Sequence, residues 1–478
     1  MLFNSYSFIF VFLPIALAGY FLLARIGNFA AVIWLTLASL AFYASSNWQF
    51  VSLLLGSIAF NYFIGLALIT SRLGPGARRA ALAIGVSGDL LVLGFFKYAG
   101  FFAANLNAVF STGLTLNILL PVGISFYTFT QIAFLVDAYR KNVAGYALPH
   151  YALFVTYFPH LIAGPILHHK DMIPQFENAA GKRANPHLIL CGLIFFAIGL
   201  FKKTCLADGV QPLVALAFGP TAPSFDQAWL GALAYTFQLY FDFSGYSDMA
   251  IGISLMFGIF LPLNFNSPYK ASSIIEFWRR WHMTLSQFLR AYLYIPLGGN
   301  RHGRVLRYAN LMVTMALGGL WHGAAWTFVA WGVLHGVYLC INHAWNNYCP
   351  SIPPRFARAA NLAAFILTFL SVVVAWVLFR ADSMASALAI LSAMADPGRI
   401  VFGQGEMADA VFISLYAAIT WFAPNTQAIM GYDHNTRTVG ETFGWSRMRP
   451  AFLYVSAALL AFGILGIQKH SEFIYFRF

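Results

Sequence analysis

Charge is the scarcest property of this sequence. Only 9% of its 478 residues are Asp, Glu, Lys or Arg, while 60% are hydrophobic and the mean hydropathy is +0.70. Soluble globular domains carry about 25% charged residues. This chain cannot clothe a water-facing surface, so most of its exterior must face lipid. Cysteine is also sparse: Cys191, Cys205, Cys340 and Cys349 have no short paired spacing, which points to neither a disulfide framework nor a zinc site. Walker loops, dinucleotide fingerprints and a GxSxG elbow in a fitting context are all lacking. No soluble catalytic domain is evident, and no repeat or low-complexity tract stands out.

The charge that is present is basic, with a net value of +12. It falls in short clusters between apolar runs: Arg72, Arg78 and Arg79; Arg140 and Lys141; Lys182 and Arg183; Arg301, Arg304 and Arg307. Cytoplasmic loops look like this under the positive-inside bias. A nucleic-acid surface needs a continuous basic face interleaved with aromatics, and the sequence has none, so no nucleic-acid partner is expected.

A helix crosses a bilayer with about 20 mainly apolar residues. Candidate spans lie near 6–24, 29–43, 49–70, 80–97, 116–136, 187–204, 229–260, 308–320, 325–345, 359–379, 409–423 and 451–468. The first lacks a basic n-region and a small-residue cleavage site and reads as a retained span. Pro159, Gly164 and Pro165 prevent 151–169 from forming one regular helix, which favours a re-entrant element. The stretches 45–49 and 220–227 carry no Lys or Arg and are expected outside. Residues 71–79 and Arg437, Arg447 and Arg449 are expected inside, which leaves the tail 469–478 on the outer side. Residues 262–307 are dense in Arg, Trp, Tyr and His, and a helix over 274–293 is expected along the cytoplasmic boundary.

Three groups of residues can carry chemistry. GGLWHGAAW (318–326) places His322 in an apolar run. Its plain reading is a packed histidine bonded to a carbonyl. Ionisable residues at membrane depth are costly and usually line a pathway or reactive site, and Gly318, Gly319 and Gly323 permit close approach. Trp321 and Trp326 can wall a cavity there. His282 sits in FWRRWHMTLS beside Arg279 and Arg280, whose guanidinium forks match phosphate oxygens; an interfacial helix without a ligand accounts for it equally well. Asp242 and Asp248 lie in a long apolar stretch, where they bind a cation, relay protons or anchor helices through Tyr or Arg.

Together these blocks resemble the membrane-bound O-acyltransferase family, in the bacterial branch of the membrane subunits that serve alginate, peptidoglycan and cellulose O-acetylation. The resemblance covers nearly the whole chain through MLFNSYSFIFVFLPI, LPVGISFYTFTQIAFLVDAYR (120–140), FPHLIAGPILHHKDMIPQF (158–176), FQLYFDFSGYSDMAIGISLMFGI (237–259), residues 263–301, GGLWHGAAW and the terminal FIYFRF. It implies a single all-α polytopic membrane domain over 1–478, a ring of transmembrane helices around a thinned centre with an outward funnel and re-entrant or interfacial helices. It implies acetyl-CoA as donor, no metal, and His322 as the catalytic histidine with His282 as the second. Arg279, Arg280 and Trp321 become candidate donor-binding residues. FIYFRF fits an F-x-Y-x-x-F pattern in which Tyr475 is an acyl relay; an aromatic interfacial anchor is the alternative.

The implied partner is a periplasmic SGNH-type acetyltransferase acting on a polysaccharide, and the implied location is the bacterial inner membrane. One position departs from the family pattern: His168, His169 and Lys170 follow the AGPI block, where an arginine is expected. D-alanyl rather than acetyl transfer, a polysaccharide or lipid-linked sugar transporter, and a non-enzymatic export scaffold remain as alternatives.

Overall fold

A computed structural model describes the chain apart from residues 71–72, 144, 163, 178–182, 220, 302, 350–352, 400–403, 441–449, 468–472 and 475–478. The described residues are helical, with no strand beyond an isolated bridge between Asp433 and Thr438. An apolar segment in lipid must satisfy its backbone N–H and C=O groups internally, and a helix does so. Four continuous helical stretches among the described residues are long and apolar enough to cross a membrane: Asn28–Ile69, Pro75–Phe110, Pro186–Ala207 and Pro354–Arg380. Three of them open on proline, whose missing N–H would have had no partner in the first turn. Phe63, Leu91 and Leu367 on these helices are more than 60% exposed, as lipid-facing side chains are. The all-α expectation holds, with shorter apolar helices such as Met384–Ala395 and Pro450–Leu465 beside the long ones.

The described chain divides into two compact units, each assembled from stretches far apart in sequence. The first contains Met1–Gly199, Tyr246–Pro262 and Met430–Ala461; the second contains Leu200–Gly245, Leu263–Ile429 and Phe462–Phe478. In the first unit, Phe3, Phe8, Phe42 and Phe158 form an aromatic core with ring centroids 4.9–6.5 Å apart. Buried Asn61 donates to the Asp89 carboxylate at 2.7 Å. The stretch 151–169 is broken into Leu148–Thr156 and Phe158–Leu161, as its prolines require.

The second unit corrects one expectation. Residues 274–293 do not form a continuous helix but Ile274–Arg280, Met283–Leu289 and a π turn Arg290–Tyr294. The break falls at Trp281–His282, where His282 takes φ 42°, a left-handed conformation. Side chains with a Cβ adopt it at a cost, and here neighbouring contacts hold it. Met283 N–H donates to the Asn264 carbonyl and Asn266 N–H to the Arg280 carbonyl, both at 2.9 Å. Thr284 Oγ1 donates to Asn264 Oδ1 at 2.6 Å. Ser273 caps the first helix by accepting from Glu276 N–H, which satisfies an otherwise orphaned donor.

Candidate functional site

The helix Gly303–His322 ends at His322, and the helix Trp326–Tyr348 begins four residues later. The two cross with backbones in contact. A Cβ on Gly319 would lie 2.2 Å from the Phe328 carbonyl oxygen, and one on Gly332 would lie 2.2 Å from the Met315 carbonyl oxygen. Small residues at a crossing allow this approach. The contact lies one turn before His322 and therefore fixes where its imidazole emerges.

That imidazole is 4% exposed and caged by rings. Trp321 lies 4.9 Å away, Trp331 5.0 Å at 88°, and Phe379 5.3 Å at 72°, centroid to centroid. His282 lies 6.5 Å away, close enough for the two imidazoles to flank one small acyl group. His282 is itself fully buried, with Phe243 edge-on at 4.9 Å. It lies outside the long spanning helices, and burial pushes its imidazole down to about 3, which keeps it neutral at physiological pH. The left-handed turn at His282 thus brings together two histidines that are far apart in sequence.

Two cavities are lined by neighbours of this pair. One, of about 590 Å³, is lined by Arg279, Arg290, Arg307, His343, Met283 and Met315 among others. Met283 follows His282 in the chain, which places the cavity next to that residue. Arg279 therefore lies where an anionic ligand would bind. Arg280 is engaged elsewhere: it pairs with Glu276 at 2.7 Å and donates to the Asn266 carbonyl at 3.2 Å. Trp321 is buried beside both imidazoles, 4.9 Å from His322 and 6.2 Å from His282. Trp326 is 57% exposed, and Trp331 and Phe379 supply the walls expected of it.

The other cavity, of about 510 Å³, is lined by Lys203, Asp208, Gln238, Arg380, Phe328 and Phe379 among others, and by Ile474 of the C-terminal tail. Phe379 borders both this cavity and His322. Lys203 bridges two carboxylates, Asp242 at 2.7 Å and Asp208 at 2.9 Å. Asp242 is thus anchored by Lys203 rather than by the expected Tyr or Arg. The signal is present in the sequence, as a lysine inside the candidate span 187–204. Tyr475 lies outside the described residues, but Phe473 and Ile474 do not, and Ile474 N–H donates to Asp242 Oδ2 at 3.0 Å.

In the first unit, Asp137, His168 and His169 offer ligand atoms within 4.8 Å of one another, a geometry that could hold a metal ion. As they stand, both Nε2 atoms are within hydrogen-bond distance of Asp137 Oδ2, at 3.0 and 3.1 Å. The histidines that depart from the family pattern thus both engage this carboxylate.

The family model for membrane-bound O-acyltransferases matches residues 25–388. The chain belongs to the membrane-bound O-acyltransferase family. It is a membrane O-acyltransferase, and the transporter and scaffold alternatives give way to that. Similar proteins include the peptidoglycan O-acetyltransferase of Helicobacter pylori, 45% identical over 82% of this chain and 80% of its own length. The probable alginate O-acetylase AlgI of Pseudomonas putida is 40% identical over the whole of both chains. The teichoic acid D-alanyltransferase of Streptococcus thermophilus is more distant, 29% identical over 47% of this chain and 57% of its own length. His322 and His282, the two histidines of this acyltransferase singled out by its motifs, are the two that the fold brings together.

Proposed function

We propose that this O-acyltransferase takes an acetyl group from cytoplasmic acetyl-CoA and passes it across the bacterial inner membrane for O-acetylation of a polysaccharide. The observation that carries this reading is the paired imidazoles His282 and His322, with an arginine-lined cavity at Met283, next in the chain to His282, and a second cavity bordered by Ile474 and by Phe379, which packs on His322. Acetyl is favoured over D-alanyl because the relatives named for acetyl transfer match most of the chain at 40–45% identity. The relative named for D-alanyl transfer matches less than half of it at 29%.

Arg279, Arg290 and Arg307 meet the nucleotide phosphates of the donor, since guanidinium groups form charge-assisted, often bidentate bonds with phosphate oxygens. The thioester then lies toward His282 and His322. His322 either removes the proton of the incoming hydroxyl or attacks the carbonyl carbon itself. In both cases the C–S bond breaks and CoA leaves as the thiol after taking a proton; in the first the acyl carbon bonds directly to oxygen, and in the second an acyl-imidazole C–N bond forms and then breaks as the oxygen attacks. Tyr475 supplies that oxygen as a phenol ester, which is more reactive than an alkyl ester and is passed to a serine of a periplasmic SGNH-type partner and then to a sugar hydroxyl. The ring cage around His322 excludes water and limits loss of the acyl group by hydrolysis.

The test uses purified protein with acetyl-CoA labelled in the acetyl group. The expected result is label on the protein at Tyr475, lost in Tyr475→Phe; CoA release that continues in that variant marks attack by His322 itself, and its loss marks His322 as the base. Normal polymer acetylation by Tyr475→Phe in cells would overturn the relay. D-alanyl transfer would appear as no labelling from acetyl-CoA.

A further inference from the structure

Proposed catalysis makes no use of Lys203, Asp208 or Asp242, although they are among the most buried charges in the second unit, with side chains 3%, 7% and 1% exposed. Charged groups at such depth are costly to desolvate and usually have a function. Lys203 also lies in a π-helical segment, Lys202–Ala207, a local irregularity frequent at functional sites. One ammonium bridges two carboxylates, and Asp242 also accepts from the Ile474 backbone N–H through Oδ2.

We propose that Asp242, held by Lys203 and Asp208, is the anchor of the C-terminal tail and thereby the positioning residue for Tyr475. The tail is tied at two consecutive residues. Phe473 is buried and packs on Phe243 at 5.8 Å, the same ring that lies edge-on against His282. Ile474 is bonded to Asp242 and lines the cavity bordered by Phe328 and Phe379, and Phe379 touches His322. The next residue along the chain is Tyr475. A backbone N–H contact fixes the position of the tail, and the Phe473 contact fixes its register. The buried charges thus hold the chain immediately before Tyr475 beside the cavity that Phe379 borders.

The consequence for transfer rests on the relay reading; the anchoring itself does not. Asp242→Asn keeps the side-chain shape and leaves Lys203 paired with Asp208, so the fold is retained. Phe473→Ala removes the other tie without disturbing a buried charge. Carboxypeptidase digestion of the purified full chain is expected to release tail residues about tenfold faster or more in both variants, the loss expected of a hydrogen bond to a charged acceptor. The KM for acetyl-CoA is expected to stay near wild type, while polymer acetylation falls by a similar factor. A tail protected as in wild type in both variants overturns the anchor, whatever Tyr475 does. A freed tail with normal polymer acetylation overturns the positioning role when Tyr475→Phe is inactive. If Tyr475→Phe is active as well, the relay reading falls while the anchor stands.

Discussion

Replacing Gly319 by Ala tests whether the helix crossing sets the position of His322. The new Cβ would stand 2.2 Å from the Phe328 carbonyl oxygen, where ordinary contact begins at 3.4 Å. The shortfall is 3.4 − 2.2, so the helices must separate by about 1 Å. The obstacle is backbone and cannot rotate aside. Overpacking of this kind costs about 1–3 kcal/mol, and the better helix propensity of Ala returns about 1 kcal/mol, so the variant should remain folded and inserted. Displacing a catalytic group by about 1 Å costs about a hundredfold in rate, because His322 is one turn beyond the crossing and moves with it. The assay is the initial rate of CoA release at equal amounts of inserted protein. Gly56→Ala, where an added Cβ meets nothing within 4 Å, is the control and should match wild type. A Gly319→Ala rate within about twofold of wild type would refute the reasoning that converts this contact into alignment.

Arg279→Gln and Arg307→Gln should each raise the KM for acetyl-CoA by about tenfold with little change in kcat, the loss of one charge-assisted contact to phosphate. Arg280→Gln, which removes a partner of Glu276, should leave the KM unchanged, and equal effects at 279 and 280 would count against the cavity. Acidification should destabilise the protein through His282. Its folded-state value is about 3 against an ordinary 6.5, so the unfolded chain takes up the proton first. The stability from burying it neutral is complete above 6.5 and is lost as pH falls toward 3. The first unit of that fall costs about 1 kcal/mol. His282→Gln should therefore show a flatter dependence of melting temperature on pH than wild type; parallel curves would contradict the assignment.

Composition alone identified a membrane chain, because no arrangement of 9% charged residues covers a soluble surface. His322 also stood out in the sequence as a candidate, since an ionisable residue in an apolar run is costly and the glycines on both sides leave it open to close approach. Its pairing with His282 did not. A helical period was the natural reading of 274–293, and a single left-handed residue broke it through contacts with Asn264 and Asn266 that no local pattern announces. The two arginines of FWRRWH looked equivalent in sequence. The capping Glu276, one turn before Arg280, separates them and leaves Arg279 to the cavity. Gly319 read as room for close approach by backbone or substrate, and it is backbone that approaches; that was not decidable earlier, because the partner glycine at 332 is recognisable only once the two helices are paired. Asp242 read as a buried anchor. What it holds, Lys203 and the tail at Ile474, depends on contacts spanning 39 and 232 residues of chain, with 242 − 203 = 39 for the first.

The measurement closest to the central claim is a single-turnover experiment with purified His322→Ala and acetyl-CoA, following free CoA and covalent label together. Wild type should release CoA and acquire label in step. His322→Ala should do neither, while retaining a normal melting temperature and donor affinity. Release of CoA by His322→Ala at the wild-type rate would contradict the assignment of the reactive imidazole.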